Sequence, residues 1–229
     1  MTQRSDRPLV GQQTTLAALT SALDKSATGP QCALLSGIKG SGRGSAIGSL
    51  LQELREQKRH YTLVPLHHLP GDDAIRTLLR VYGSSVTAIA RSAAFDSDPF
   101  QSLSEAADKA EDNETRDLFL SVAESARELR DTPDGTGLKI KLPATNPYRS
   151  LLLTFDVLGP RCPWILDLRG LGGITSPSFW VFLSALLGRS RARNWKMLFL
   201  VTPGEAIYGE KPGEALPGPA AFMHSLFGD

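Results

Sequence analysis

Cysteine, aromatic side chains and surplus charge are all scarce in this chain. Cys32 and Cys162 are the only cysteines among 229 residues, and Phe, Trp and Tyr together make up 7%. The two thiols stand far apart, each beside an apolar run, so they read as reduced and buried, and they cannot supply a zinc framework. Lys and Arg number 25 against 24 Asp and Glu, a formal net charge of +1. That balance gives no broad electrostatic footprint for nucleic acid or anionic lipid. No stretch approaches the roughly 18 to 20 apolar residues of a membrane span, and the opening MTQRSDRPLVGQQ lacks the apolar core of a signal peptide. The expectation is a soluble, cytoplasmic protein with no membrane contact, and with protein surfaces favoured over nucleic acid as partners.

What is present is enough apolar material, 41% of the residues, for one sizeable core. The 21 glycines and 15 prolines gather at Gly37 to Gly48, at Pro133 to Pro147 and in the tail from Pro203 onward. Between these places strands and helices alternate, which predicts an α/β fold with a mostly parallel central sheet flanked by helices. Strands are expected at Cys32 to Ser36, Tyr61 to Leu66, Trp164 to Asp167 and Met197 to Thr202. These are short apolar runs of the kind that a sheet buries on both faces. Pro65 marks an edge strand or a strand end. A half-exposed strand is expected at Gly137 to Leu142, from its alternation. Helices are expected at Gln12 to Leu23, Ser45 to Lys58, Asp72 to Tyr82 and Ser84 to Ala94. Further ones start at Asp98-Pro99, at Asn146-Pro147 (to Leu158) and at Ser176-Pro177 (to Leu187, stopped by Gly188). The charged segment Glu105 to Arg130 reads as one surface helix or a helical pair. The organisation expected is a core over residues 1–202 with a helical insertion at about 70–145. A tail at 203–229 carries a short helix near Ala220 to Phe227.

The strongest chemical signal is Gly37-Ile-Lys-Gly40-Ser41-Gly42-Arg43-Gly44-Ser45, lying between an apolar strand and an amphipathic helix. Such a turn can aim consecutive backbone N–H groups inward, and the helix N-terminus behind it adds partial positive charge, so an anion fits there. The phosphate-loop pattern is G-x-x-x-x-G-K-[ST]. Both glycines stand at that spacing, while Arg43 fills the lysine slot and Gly44 the hydroxyl slot. Asp167 ends an apolar strand, where an acid can hold Mg²⁺ through water, and Thr202 ends the next one, where a polar side chain can sense a γ-phosphate. Each of these has a plainer alternative as a strand-end capping residue.

Taken together, these residues resemble the nucleotide-binding core of the AAA+ and STAND P-loop NTPases, especially the branch related to origin-recognition ATPases. Arg7-Pro-Leu-Val10-Gly11-Gln12 is similar to that family's N-terminal box near the adenine. Gly37 to Ser45 resembles its Walker A loop, Trp164 to Asp167 its Walker B strand and Met197 to Thr202 its sensor-1 strand. The likeness runs over about residues 7 to 203. It implies a P-loop fold, ATP or ADP as ligand with Mg²⁺ held indirectly by Asp167, and nucleotide contacts from Val10, Gly11, Gly37, Gly40 to Ser45, Asp167 and Thr202.

The departures from the family pattern fall on chemistry. Leu168 stands where the family carries a second acid, and leucine cannot act as a base. Arginine is no conservative replacement for lysine at a close-packed phosphate site. Gly44 removes the direct Mg²⁺ ligand, and Ser45 lies about 100° further round the helix. Losing these groups together removes most of what phosphoryl transfer depends on. The lid that would carry a sensor-2 arginine has no room in the last 27 residues, unless the chain is a fragment cut before it. The reading is a hydrolysis-deficient regulatory or scaffolding module that binds a protein partner, with no catalytic residue assigned and with no cofactor as an alternative to ATP or ADP. The competing reading is a working switch or ATPase completed in trans by a partner, in association with nucleic acid or not. The oligomeric state stays open.

Three remaining features carry plainer readings. His67-His68 has no Cys or acid at ligand spacing and reads as loop. Arg189, Arg191 and Arg193, with Lys196, follow a helix end and suit its dipole and solvent, or else an acidic partner or a phosphate backbone. Phe179, Trp180 and Phe182 read as core, or else as an aromatic interface beside the incomplete lid.

Overall fold

The computed structural model describes residues 13–35, 42–66, 73–132, 142–143, 145–169, 174 and 176–202. Four short strands form one parallel sheet: β1 (Gln31–Leu34), β2 (Thr62–Pro65), β3 (Trp164–Arg169) and β4 (Met197–Thr202), in the order β1-β4-β3-β2. The protein is thus α/β, as its alternating pattern implies. β3 and β4 are central and wholly apolar over most of their length, as strands covered on both faces must be. β2 is an edge strand and ends at Pro65, so the position of that proline is explained twice over.

Helices cover both faces. α1 (Gln13–Lys25) and α2 (Arg43–Glu56) lie on one side, where Leu19, Leu23, Ile47, Leu50 and Leu54 meet Ile165, Leu198 and Leu200. On the other side lie α3 (Ala74–Arg91), α4 (Pro99–Asp108), α5 (Asn113–Asp131), α6 (Pro147–Leu158) and α7 (Pro177–Ala192), around a much larger core. Trp164 sits at its centre, with Phe155 and Phe95 edge-on to its indole at centroid distances of 4.9 and 5.6 Å. Phe179, Trp180 and Phe182 belong to this core, and the Trp180 Nε1–H donates to the Ile174 carbonyl at 3.1 Å.

The helix starts follow their capping residues. Asp73, Asp98 and Asp112 accept N–H groups of the first turn at 2.8, 3.0 and 2.7 Å, and Asn146 accepts from Tyr148 and Arg149 at 3.0 and 3.2 Å. The Thr115 amide and hydroxyl on Asp112 hold its carboxyl below the usual range. The charged segment around 105–130 resolves into the helical pair α4 and α5.

Two helix boundaries differ from the sequence expectation, both at glycine. Residues 74–91 form one helix rather than two, with Gly83 in its interior, and α7 runs through Gly188 to Ala192. An interior glycine costs about 1 kcal/mol against alanine. The buried stripes Val81, Tyr82, Val86, Ile89 and Leu183, Leu186, Leu187, Ser190 continue across these points and outweigh that cost. The strand expected at Gly137 to Leu142 lies outside the described residues except for Leu142, which is not in a strand. The tail helix also falls outside them.

Candidate functional site

β1 leads into the glycine-rich segment and α2 leads out of it. Gly42 is the N-cap of α2 and has φ +80°, a left-handed conformation that glycine adopts without strain. The N-cap residue of α2 has no side chain to cap it, unlike those of α3 to α6, and among the described residues no side chain caps its first-turn N–H groups. Arg43 begins the helix, with Gly44 and Ser45 exposed in the same turn. Gly37, Gly40 and Ser41 lie outside the described residues, as do Val10 and Gly11. The arrangement at Gly42 to Ser45 suits an anion. It does not suit a directly held metal ion, since Gly44 offers no side-chain oxygen.

Asp167 comes into the same region through sheet register. Ala33 pairs with Leu200, Leu200 with Asp167, and Asp167 with Pro65, which places Asp167 about 10 Å across the sheet from β1. It lies two residues beyond Ile165 and therefore faces the α1/α2 side. Its side chain is 1% exposed, and it is partnered. Leu168, in the slot of the family's second acid, faces the opposite way and is fully buried in the larger core. Thr202 ends β4 and pairs with Arg169.

The chain leaves β1 toward the α1/α2 face and leaves β3 toward the α7 face. The two connections thus diverge to opposite faces, with the end of β4 between them. In open α/β sheets such a switch of direction is where ligands sit. The sequence-derived candidates Gly42 to Ser45, Asp167 and Thr202 all lie at this edge.

The other candidates resolve differently. Arg189 and Arg191 lie in the last turn of α7 rather than after it, and Arg193 is its C-cap; Arg189 and Arg193 both pair with Asp156 of α6, Arg193 at 2.8 Å. Burial pushes the Asp156 carboxyl up, against the pull of these two guanidiniums. His67 and His68 lie outside the described residues. Among those residues no three of His, Cys, Asp and Glu come together as a metal site. Both thiols are free, and burial raises each to about 12, opposed by Arg191 at Cys32 and by a Thr62 hydrogen bond at Cys162. No described helix is long and apolar enough to cross a membrane.

One feature that sequence reading missed is a groove of about 840 Å³ along β2, bounded by the end of α2 and by α3. Two separate stretches, within 55–65 and 79–94, build it, and neither carries a motif. The only trace in the sequence is the spacing of Arg80 and Arg91 on α3, which three turns separate. Compared with known proteins, the chain matches no family model, no curated protein sequence and no solved structure.

Proposed function

We propose that this chain is a degenerate P-loop domain of the AAA+/STAND type that acts as a regulatory or scaffolding module in the cytoplasm, through contacts with a protein partner, and does not hydrolyse ATP to any appreciable extent. One observation carries the reading: Asp167 and the N-terminus of α2, whose N-cap Gly42 has no capping side chain, share one face and one edge of the sheet, while Leu168 points into the opposite core. The first half of that arrangement supports phosphate binding by backbone N–H groups, with the left-handed Gly42 shaping the turn. Arg43 keeps positive charge in the loop. The second half supports the loss of hydrolysis. A side chain buried on the far side of the sheet cannot polarise water at this edge, and substituting Leu168 by glutamate would bury a carboxylate rather than restore a base.

If ATP or ADP binds, its phosphates would rest on the Gly42 to Ser45 backbone. The metal ion it carries would then be held by the phosphates and, through water, by Asp167. Isothermal titration with ATP, ADP and GTP, with and without Mg²⁺, tests this reading. Nucleotide affinity that depends little on Mg²⁺, or no affinity at all, agrees with a regulatory module lacking the direct metal ligand. Micromolar binding that requires Mg²⁺, accompanied by turnover, contradicts it and assigns the chain to the working ATPases.

A further inference from the structure

We propose that the groove along the edge of β2 that is unpaired among the described residues binds an extended acidic peptide, which joins the sheet as an outer strand between α2 and α3. This site lies at the edge of the sheet opposite β1 and is independent of the phosphate-loop reading.

The backbone supplies the first half of the recognition. Thr62 and Leu66 donate their N–H groups to the Pro163 and Asp167 carbonyls at 2.8 and 2.9 Å, so Thr62, Val64 and Leu66 are the residues of β2 that face β3. By the alternation of a parallel ladder, the N–H and C=O of Leu63 point the other way, into the groove, together with the C=O of Pro65. Among the described residues β2 has no second neighbour. A peptide laid beside Leu63 would receive main-chain hydrogen bonds there, and Pro65 would end the pairing.

The walls supply the second half. Four arginines line the groove: Arg55 and Arg59 from the end of α2, Arg80 and Arg91 from α3. No Asp or Glu is among the lining residues. In a chain whose net charge is only +1, this is a local concentration of one sign, and it complements carboxylates. Arg59 is held in place by Asp24 at 2.9 Å. Between Arg80 and Arg91, the face of α3 toward the groove carries Gly83, Ser84, Thr87 and Ala88, small enough for a backbone to approach. At one end Leu79 is 46% exposed, and Ile75, one turn before it, is 67% exposed, which gives an apolar anchor for a peptide side chain. Tyr61 and His60 are the aromatic rings on the lining, at one end, and the hydrogen-bonding edge of a strand flanked by small residues suits an extended peptide better than a row of stacked bases.

The test uses the full chain and a fluorescein-labelled peptide of about ten residues alternating Glu and Val, followed by anisotropy at low and moderate salt. Three further probes accompany it: the same peptide with Lys for Glu, the acidic peptide N-methylated at alternate amides, and a single strand of thymidines of similar length. The expected result is saturable binding of the acidic peptide, weakened by salt, with no binding of the Lys peptide. Affinity should fall about tenfold or more in an Arg55→Glu, Arg91→Glu double variant, in Thr87→Trp, which fills the groove from α3, and on N-methylation. Thermal unfolding of each variant confirms that it folds. The proposal is overturned if the acidic peptide does not saturate at millimolar protein, if Thr87→Trp leaves its affinity unchanged, or if the N-methylated peptide binds equally well. Tighter binding of the thymidine strand, lost in the same variants, would assign the groove to nucleic acid instead.

Discussion

The two faces of this sheet are packed with different material. On the α3 to α7 side, five helices enclose all three tryptophans and most of the buried phenylalanines. On the α1/α2 side, two helices rest on a thin layer in which every buried apolar side chain is aliphatic. Gly42 to Ser45, the described end of the candidate phosphate loop, belong to the thin side, because they open α2, and the Asp167 side chain faces the same way. The slot of the family's catalytic acid belongs to the thick side, where Leu168 contributes to packing. The difference separates two jobs: one face holds the fold together, and the other carries an edge where a backbone can meet a ligand.

Substitutions on the two sides test that separation. Phe155→Ala on the thick side removes a ring packed edge-on to Trp164 and should cost about 4 kcal/mol in urea unfolding. Leu50→Ala, fully buried on the thin side, should cost about 3 kcal/mol. If Leu50→Ala costs more than Phe155→Ala, the thin layer is the true anchor and the comparison fails. Gly159→Ala probes how closely the thick side is filled. An added Cβ would stand 2.6 Å from the Trp195 ring, so overpacking should cost about 2 kcal/mol, a loss that differential scanning calorimetry would resolve.

The thiols give a pH signature of the thick side, against which both pack. Their folded values, about 12, lie above the ordinary 9.0, so the folded state holds protons that the unfolded chain releases. Their contribution is intact below about pH 9 and lost as pH rises toward 12, by about 1.4 kcal/mol per unit for each thiol. Urea midpoints between pH 8 and 10 should therefore fall, and a Cys32→Ala, Cys162→Ala double variant should flatten that fall. The smallest effect belongs to the thin side. Gly42→Ala forces a Cβ into a left-handed conformation at φ +80° and should cost about 1 kcal/mol.

Much of this architecture is legible in the amino-acid sequence. The apolar runs at 164–167 and 197–202 could only be strands buried on both faces, and Asp98-Pro99 and Asn146-Pro147 mark helix starts that side-chain caps confirm. Gly83 and Gly188 misled, because a glycine's local preference says nothing about the buried stripe that carries the helix through it. The pairing of Asp156 with Arg189 and Arg193 could not be read, since the partners are 33 and 37 residues apart and meet only when α6 packs on α7. The same holds for the strand order: local pattern shows the four apolar strands, besides the one expected at Gly137 to Leu142 that lies outside the described residues, and only tertiary packing sets β4 between β1 and β3. The loop glycines were visible by spacing, whereas the opposite facing of Asp167 and Leu168 needed the register of β3. The β2 groove left almost no trace, being assembled from residues 55–65 and 79–94.

The central claim is that the edge beside α2 keeps a phosphate-binding shape without the means to cleave ATP. Phosphate release from ATP by the purified chain, with and without Mg²⁺ and alongside Asp167→Ala, tests it most directly. The account predicts release at the background rate in both proteins. ATP turnover by the unaltered chain that Asp167→Ala abolishes would contradict it.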